Sequence, residues 1–86
     1  MEVTIYGMNI CPDCVEARKE LDKREISYIY KDFSQDTKNL KEFLKFRDTR
    51  SLFEQKKKDG EIGIPCFELP DGSLTLSLDD VYEFFL

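Results

Sequence analysis

The strongest constraint in the sequence is a change of period within its first third. Glu2-Val3-Thr4-Ile5-Tyr6 alternates polar with β-branched and aromatic residues, the pattern of a half-buried strand. Gly7 to Ile10 breaks that alternation. From Cys11 to about Glu25 helix formers dominate, and Cys14, Ala17 and Leu21 recur on one face at three- and four-residue spacing. Ile26 to Phe33 returns to period two, with Ile26, Tyr28 and Tyr30 on one side. A strand–helix–strand unit of this kind implies two parallel strands joined by a right-handed crossover.

The rest of the chain adds to that unit. Asp36 can cap a helix running to about Thr49, with Leu40, Phe43, Leu44 and Arg47 sharing a face. Ser51 to Lys58 reads as a second helical piece closed by Asp59-Gly60. Ile62 to Leu69 reads as a strand interrupted at Gly63 and Pro65, and Pro70-Asp71-Gly72 turns it into Ser73 to Leu76, which makes a β-hairpin. Ser77-Leu78-Asp79-Asp80 has the form of a capping box before a terminal helix carrying Val81, Tyr82, Phe84 and Phe85. The expected fold is an α/β domain spanning residues 1–86, in the order βαβαββα, with a mixed four-stranded sheet flanked by helices.

Composition narrows the function. With 86 residues and 41% apolar content the chain is long enough to fold without staples, and its seven Phe and four Tyr supply much of the buried area. Eighteen acids against thirteen bases leave a net charge of −5, which argues against a nucleic-acid partner. The run Lys56-Lys57-Lys58 is too short to reverse that and reads as a solvated surface. No stretch approaches the roughly 20 apolar residues of a membrane span, and no leader pattern opens the chain. A monomeric cytoplasmic protein is expected. Histidine is absent, so Ser-His and Cys-His nucleophile systems and His-ligated metal sites are excluded.

The chemistry sits in Cys11-Pro12-Asp13-Cys14. Two cysteines three apart at a helix start lie on nearly the same face, within reach of a disulfide, and Pro12 suits the first helical turn. The positive helix end and its unpaired N–H groups favour the thiolate of Cys11, which makes Cys11 the attacking thiol and Cys14 the resolving one. Asp13, a negative charge beside Cys11, opposes that thiolate. The alternative is a metal or iron–sulfur module using Cys11 with Cys14 or Cys66, but a structural zinc site needs four ligands and the chain has three cysteines. Cys66 reads as a buried small hydrophobe, with a third redox thiol as the sharper alternative.

These residues resemble the glutaredoxin family over nearly the whole chain. Val3-Thr4-Ile5-Tyr6, a short loop, Cys11-Pro12-Asp13-Cys14, Ala17 and Leu21 are similar to the family's first strand and C-P-x-C helix. Ile64-Pro65 is similar to its T-V-P segment, in which the proline is cis and packs beside the cysteine pair. Leu78-Asp79-Asp80-Val81 resembles the segment opening the last helix, where an acid holds the γ-glutamyl amino group of glutathione. The resemblance implies a thioredoxin-like fold and a thiol-disulfide oxidoreductase. Its catalytic residues would be Cys11 and Cys14, with Pro12 and Asp13 around them and Ile64, Pro65, Leu78 and Asp79 contacting substrate. It implies no tightly bound cofactor, glutathione as a possible co-substrate, and a thiol or flavoprotein reductase as electron donor.

Four positions depart from the family's pattern. Met8 stands where a lysine commonly meets the glycine carboxylate of glutathione, Asp13 where an aromatic is common, and Leu76-Ser77 where a Gly-Gly pair allows close approach. Glutathione should therefore be a weak co-substrate. The long span from Phe46 to Ile62 offers Arg47, Arg50 and Lys56 to Lys58 as replacement cations, with Arg47 or Arg50 foremost.

Overall fold

Strand β1 (Val3–Gly7) is central because it is apolar on both faces: Val3 and Ile5 are buried on one side and Tyr6 on the other. In the computed structural model, which describes residues 2–85, it pairs in parallel with β2 (Tyr28–Asp32) and antiparallel with β3 (Cys66–Glu68). β4 (Leu74–Thr75) closes the hairpin with β3, so the sheet order is β2-β1-β3-β4. The parallel pair comes from the strand–helix–strand unit, with α1 (Pro12–Lys23) as its crossover. Helices α2 (Thr37–Thr49), α3 (Glu54–Lys58) and α4 (Leu78–Phe85) complete the chain, a 3-10 turn at Ser51–Phe53 leading into α3. This mixed four-stranded α/β arrangement is the expected thioredoxin-like fold.

Alternation along the strands divides the core in two. Val3, Ile5 and Phe67 meet Ala17 and Leu21 of α1 and Val81 of α4. On the opposite face Tyr6 and Cys66 meet Phe33, Phe43 of α2 and Phe53 of the 3-10 turn. The second cluster is largely aromatic, with the Phe43 and Phe53 rings edge to face at a centroid distance of 5.6 Å.

Several elements are shorter than the sequence pattern suggests, for local reasons. Helix α1 stops at Lys23 rather than Glu25: Arg24 N–H bonds to Glu20 O, Glu25 N–H to Asp22 O, and Glu25 turns left-handed at φ 57°. Ile26 and Phe33 flank β2 rather than belong to it, although the inward set Tyr28 and Tyr30 is as expected. The strand expected over Ile62 to Leu69 pairs only at Cys66–Glu68, since Gly63 is left-handed and Ile64-Pro65 is a cis bond whose proline has no N–H to give a ladder.

On α2, Asp36 caps as expected, its Oδ1 accepting from Lys38 N at 2.8 Å. Leu44 does not join the core, being 37% exposed, and Phe46 packs on Tyr6 instead. The capping box at α4 is incomplete. Ser77 Oγ accepts from Asp79 N at 3.2 Å, but Asp80 accepts from Thr75 Oγ1, which in turn accepts from Ser77 N. Buried Thr75 thus replaces the reciprocal bond.

Candidate active site

The short loop Met8-Asn9-Ile10 carries the chain from the end of β1 to Cys11, the N-cap of α1. Cys11 N–H bonds to Met8 O at 3.1 Å, and Cys11 O accepts from both Cys14 N and Val15 N. Pro12 opens the helix where its missing N–H costs nothing, and exposed Asp13 lies in its first turn. Arg18 of α1 ties the loop from behind, donating from Nη1 to Asn9 Oδ1 at 3.0 Å while its guanidinium lies 4.1 Å above the Tyr30 ring.

The two thiols have different environments. Cys11 is partly exposed, whereas Cys14 is fully buried and hydrogen-bonded to Cys11. Burial pushes the Cys14 thiol up to about 12, against the backbone N–H of Met8, with the Cys11 bond and the charge of Asp13 reinforcing the rise. Cys14 therefore keeps its proton, and Cys11 is the sulfur of the pair open to solvent.

Gly7 makes room for that buried sulfur. A Cβ at Gly7 would stand 2.6 Å from Cys14 Sγ and 3.3 Å from Cys14 Cβ. A glycine at the last position of a strand facing a C-x-x-C helix could have suggested this from sequence, but it read only as a period break. Gly7→Ala is expected to displace the Cys14 sulfur and slow resolution of a mixed disulfide by about tenfold or more, with a smaller effect on its formation. Rapid acid quench with mass analysis of the Cys11 adduct separates the two steps. Equal slowing of both would contradict this role for Gly7.

Opposite the thiol, Ile64 and Pro65 are presented by a restrained loop. Arg47 donates from Nε to Ile62 O at 2.8 Å and from Nη2 to Glu61 O at 2.6 Å. Gly63 adopts φ 93° with its α-carbon against the Phe53 ring, where a Cβ would come within 2.8 Å. Two adjoining cavities result. One, of about 560 Å³, is bordered by Met8, Ile10, Cys11, Asp13, Ile62 and Ile64. The other, of about 320 Å³, is bordered by Glu16, Ala17, Pro65, Phe67, Leu76 and Leu78. Asp13, Lys56, Gly63 and Ile64 border both.

The family-derived contact set is thus brought together in part. Ile64, Pro65 and Leu78 wall the groove beside Cys11, but exposed Asp79 lies outside the walls of both cavities. Lys56, not Arg47 or Arg50, is the cation at the groove; Arg47 is spent on the loop, and Arg50 lies over the Phe46 ring. Lys56 stays on the solvated surface as expected, but its Nζ lies 2.8 Å from Glu61 Oε2 in a half-exposed pair. Only the contact between α3 and the following loop reveals this, which no local pattern encodes.

The sequence has counterparts among known proteins. The family model for glutaredoxin matches residues 3–56. The chain belongs to the glutaredoxin family. The matched stretch contains the C-P-x-C helix and ends within α3, before Pro65 and α4. A protein of Haemophilus influenzae described as uncharacterized is 33% identical over 81 residues, covering 94% of each chain. No solved structure matches significantly. The matched stretch includes Cys11 and Cys14 and leaves out Cys66.

Cys66 faces the other way. It pairs with Tyr6 in the sheet and belongs to the aromatic cluster, on the face opposite Ala17 and Leu21 of α1. Among the described residues no group of three or more His, Cys, Asp or Glu side chains stands close enough to hold a metal ion. Burial raises the Cys66 thiol from 9.0 to about 12, with Glu68 adding to the rise. An unfolded thiol ionises above about 9 while the folded one stays protonated, so this contribution to stability is intact below that pH and lost as pH rises toward 12. Denaturant midpoints of the reduced protein should therefore fall from pH 8 to 10.5, and more steeply than in Cys66→Ala. Parallel slopes would contradict it.

Proposed function

We propose that this member of the glutaredoxin family is a dithiol oxidoreductase that reduces protein or low-molecular-weight disulfides through Cys11 and Cys14. The observation that carries the reading is the asymmetry of the pair: an accessible sulfur at the N-terminus of α1 hydrogen-bonded to a buried, protonated one. In the first step the Cys11 thiolate attacks a substrate sulfur, forming a Cys11–substrate disulfide and releasing the other half as thiolate. The hydrogen bond that helped keep Cys14 protonated is weakened once Cys11 has become a disulfide sulfur. Cys14 then loses its proton and displaces the second half, and the pair closes as a disulfide with two electrons delivered to the substrate.

Ile64, Pro65 and Leu78 form the wall against which the substrate chain would lie, with polar contact through main-chain groups. Glutathione is a poor fit to this groove because Met8 brings no charge and Lys56 is already paired with Glu61. Turnover would then depend on a dithiol or a flavoprotein reductase for re-reduction. For a module holding metal through Cys11 with Cys14 or Cys66, the described residues offer no group of three or more His, Cys, Asp or Glu side chains to complete a ligand set.

Trapping tests this reading. Cys14→Ser, added as the reduced protein to a cell extract, should accumulate covalent adducts at Cys11 that dithiothreitol releases, whereas wild type should not. Absence of adducts with Cys14→Ser would count against disulfide reduction as the function.

A further inference from the structure

The groove beside Cys11 carries an uneven charge. Its apolar lining is Met8 and Ile64, with Ile10 83% exposed and Ile62 50% exposed at its mouth. Its ionisable residues are Asp13, Glu16 and Glu61 against Lys56, so three carboxylates and one ammonium leave a formal charge of −2. The ammonium is itself neutralised locally by Glu61 at 2.8 Å, which leaves Asp13 and Glu16 without a matching cation in the walls. The chain's net charge of −5 gives the surrounding field the same sign.

We infer that the groove selects disulfides by charge, taking half-cystines that carry or neighbour an ammonium or guanidinium group and disfavouring those flanked by carboxylates. This rests on the proposed thiol-disulfide chemistry of Cys11 and adds the substrate class. The physical ground is the concave wall. A substrate whose disulfide reaches Cys11 enters the cavity that Asp13 and Glu61 border, with Glu16 on the adjoining one, so the groups next to that disulfide meet these carboxylates inside the screening length at low salt. The apolar lining accepts the aliphatic stem of a lysine-like side chain while its charged end meets the acids. The covalent step is unchanged: the Cys11 thiolate displaces one half of the disulfide as thiolate, and Cys14 displaces the other.

The test uses the full reduced chain and three symmetrical disulfides: cystamine with two ammonium groups, bis(2-hydroxyethyl) disulfide with none, and 3,3′-dithiodipropionate with two carboxylates. Each rate of protein oxidation, followed by acid quench and thiol titration, is divided by the rate of the same disulfide with 2-mercaptoethanol at the same pH and salt. The normalised cystamine to dithiodipropionate ratio should be about tenfold or more at 10 mM salt and approach unity near 1 M, where the Debye length is roughly 3 Å. Glu16→Lys should lower the ratio severalfold and Lys56→Gln should raise it. Glu2→Lys, which makes the same change in net charge outside the groove, should leave it close to the wild-type value.

A wild-type ratio within twofold of unity at low salt, or equal responses to Glu16→Lys and Glu2→Lys, would overturn the inference while leaving the oxidoreductase intact. A ratio favouring dithiodipropionate would overturn it in favour of Lys56 as an open carboxylate contact. Failure of all three disulfides to oxidise Cys11 would instead overturn the proposed function.

Discussion

Replacing Cys11 by serine is expected to remove disulfide reduction, with a loss on the order of a thousandfold or more, down to the rate of the reductant alone. Serine keeps the size and the helix-end position but has no thiolate to offer at neutral pH. Neither remaining cysteine can substitute. Cys14 is fully buried with its thiol pushed up to about 12, and Cys66 is buried on the opposite face of the sheet with its thiol equally high. The measurement is reduction of bis(2-hydroxyethyl) disulfide with excess dithiothreitol, corrected for the uncatalysed reaction. Activity within a few fold of wild type would remove Cys11 from the role of attacking thiol.

Phe43→Ala is the largest stability change expected outside the thiol pair. Phe43 is fully buried, and its ring centroid lies 5.2 Å from Phe33, 5.6 Å from Phe53 and 6.2 Å from Tyr6, so the whole aromatic cluster converges on it. Truncation removes the apolar area and leaves a cavity that rings held by three different elements cannot collapse to fill. A loss of about 3–5 kcal/mol follows, a large share of the total stability of a domain this size. Urea unfolding should show the midpoint falling with little change in slope. The 3-10 turn and α3 rest on the same cluster through Phe53, so the Lys56–Glu61 edge of the groove should loosen in this variant. A midpoint within about 1 kcal/mol of wild type would contradict the cluster's role.

What the sequence disclosed about the fold came from periodicity. Val3, Ile5, Tyr28 and Tyr30 declared the parallel pair, and Cys14, Ala17 and Leu21 declared the helix between its strands, because each set is buried on one face and its spacing is a direct consequence. Boundaries set by backbone bonding were less legible. The end of α1 at Lys23 and the late start of β3 at Cys66 depend on carbonyl partners and a left-handed glycine, which leave no hydrophobic trace.

The same division holds at the site. The C-P-x-C spacing pointed to the pair directly, and Ile64 borders the same cavity as Cys11 while Pro65 borders the adjoining one. The partners of Gly7, Arg18, Glu61 and Lys56 were not legible because they are contacts between separate elements: a strand end against a helix, a guanidinium over a tyrosine, an ion pair across a turn. Asp79, carried over by resemblance alone, stands outside the groove.

Cys11 with Cys14 forms the proposed redox unit, from which Cys66 is excluded. Mass mapping after mild oxidation distinguishes the three thiols. The reduced protein is treated with one equivalent of diamide, alkylated under native conditions, then denatured, digested and analysed without reduction. The expected result is loss of two hydrogens per chain, a disulfide linking Cys11 to Cys14 that dithiothreitol reverses, and Cys66 alkylated only after denaturation. A disulfide involving Cys66, or no intramolecular disulfide while Cys11 and Cys14 remain alkylatable, would contradict it.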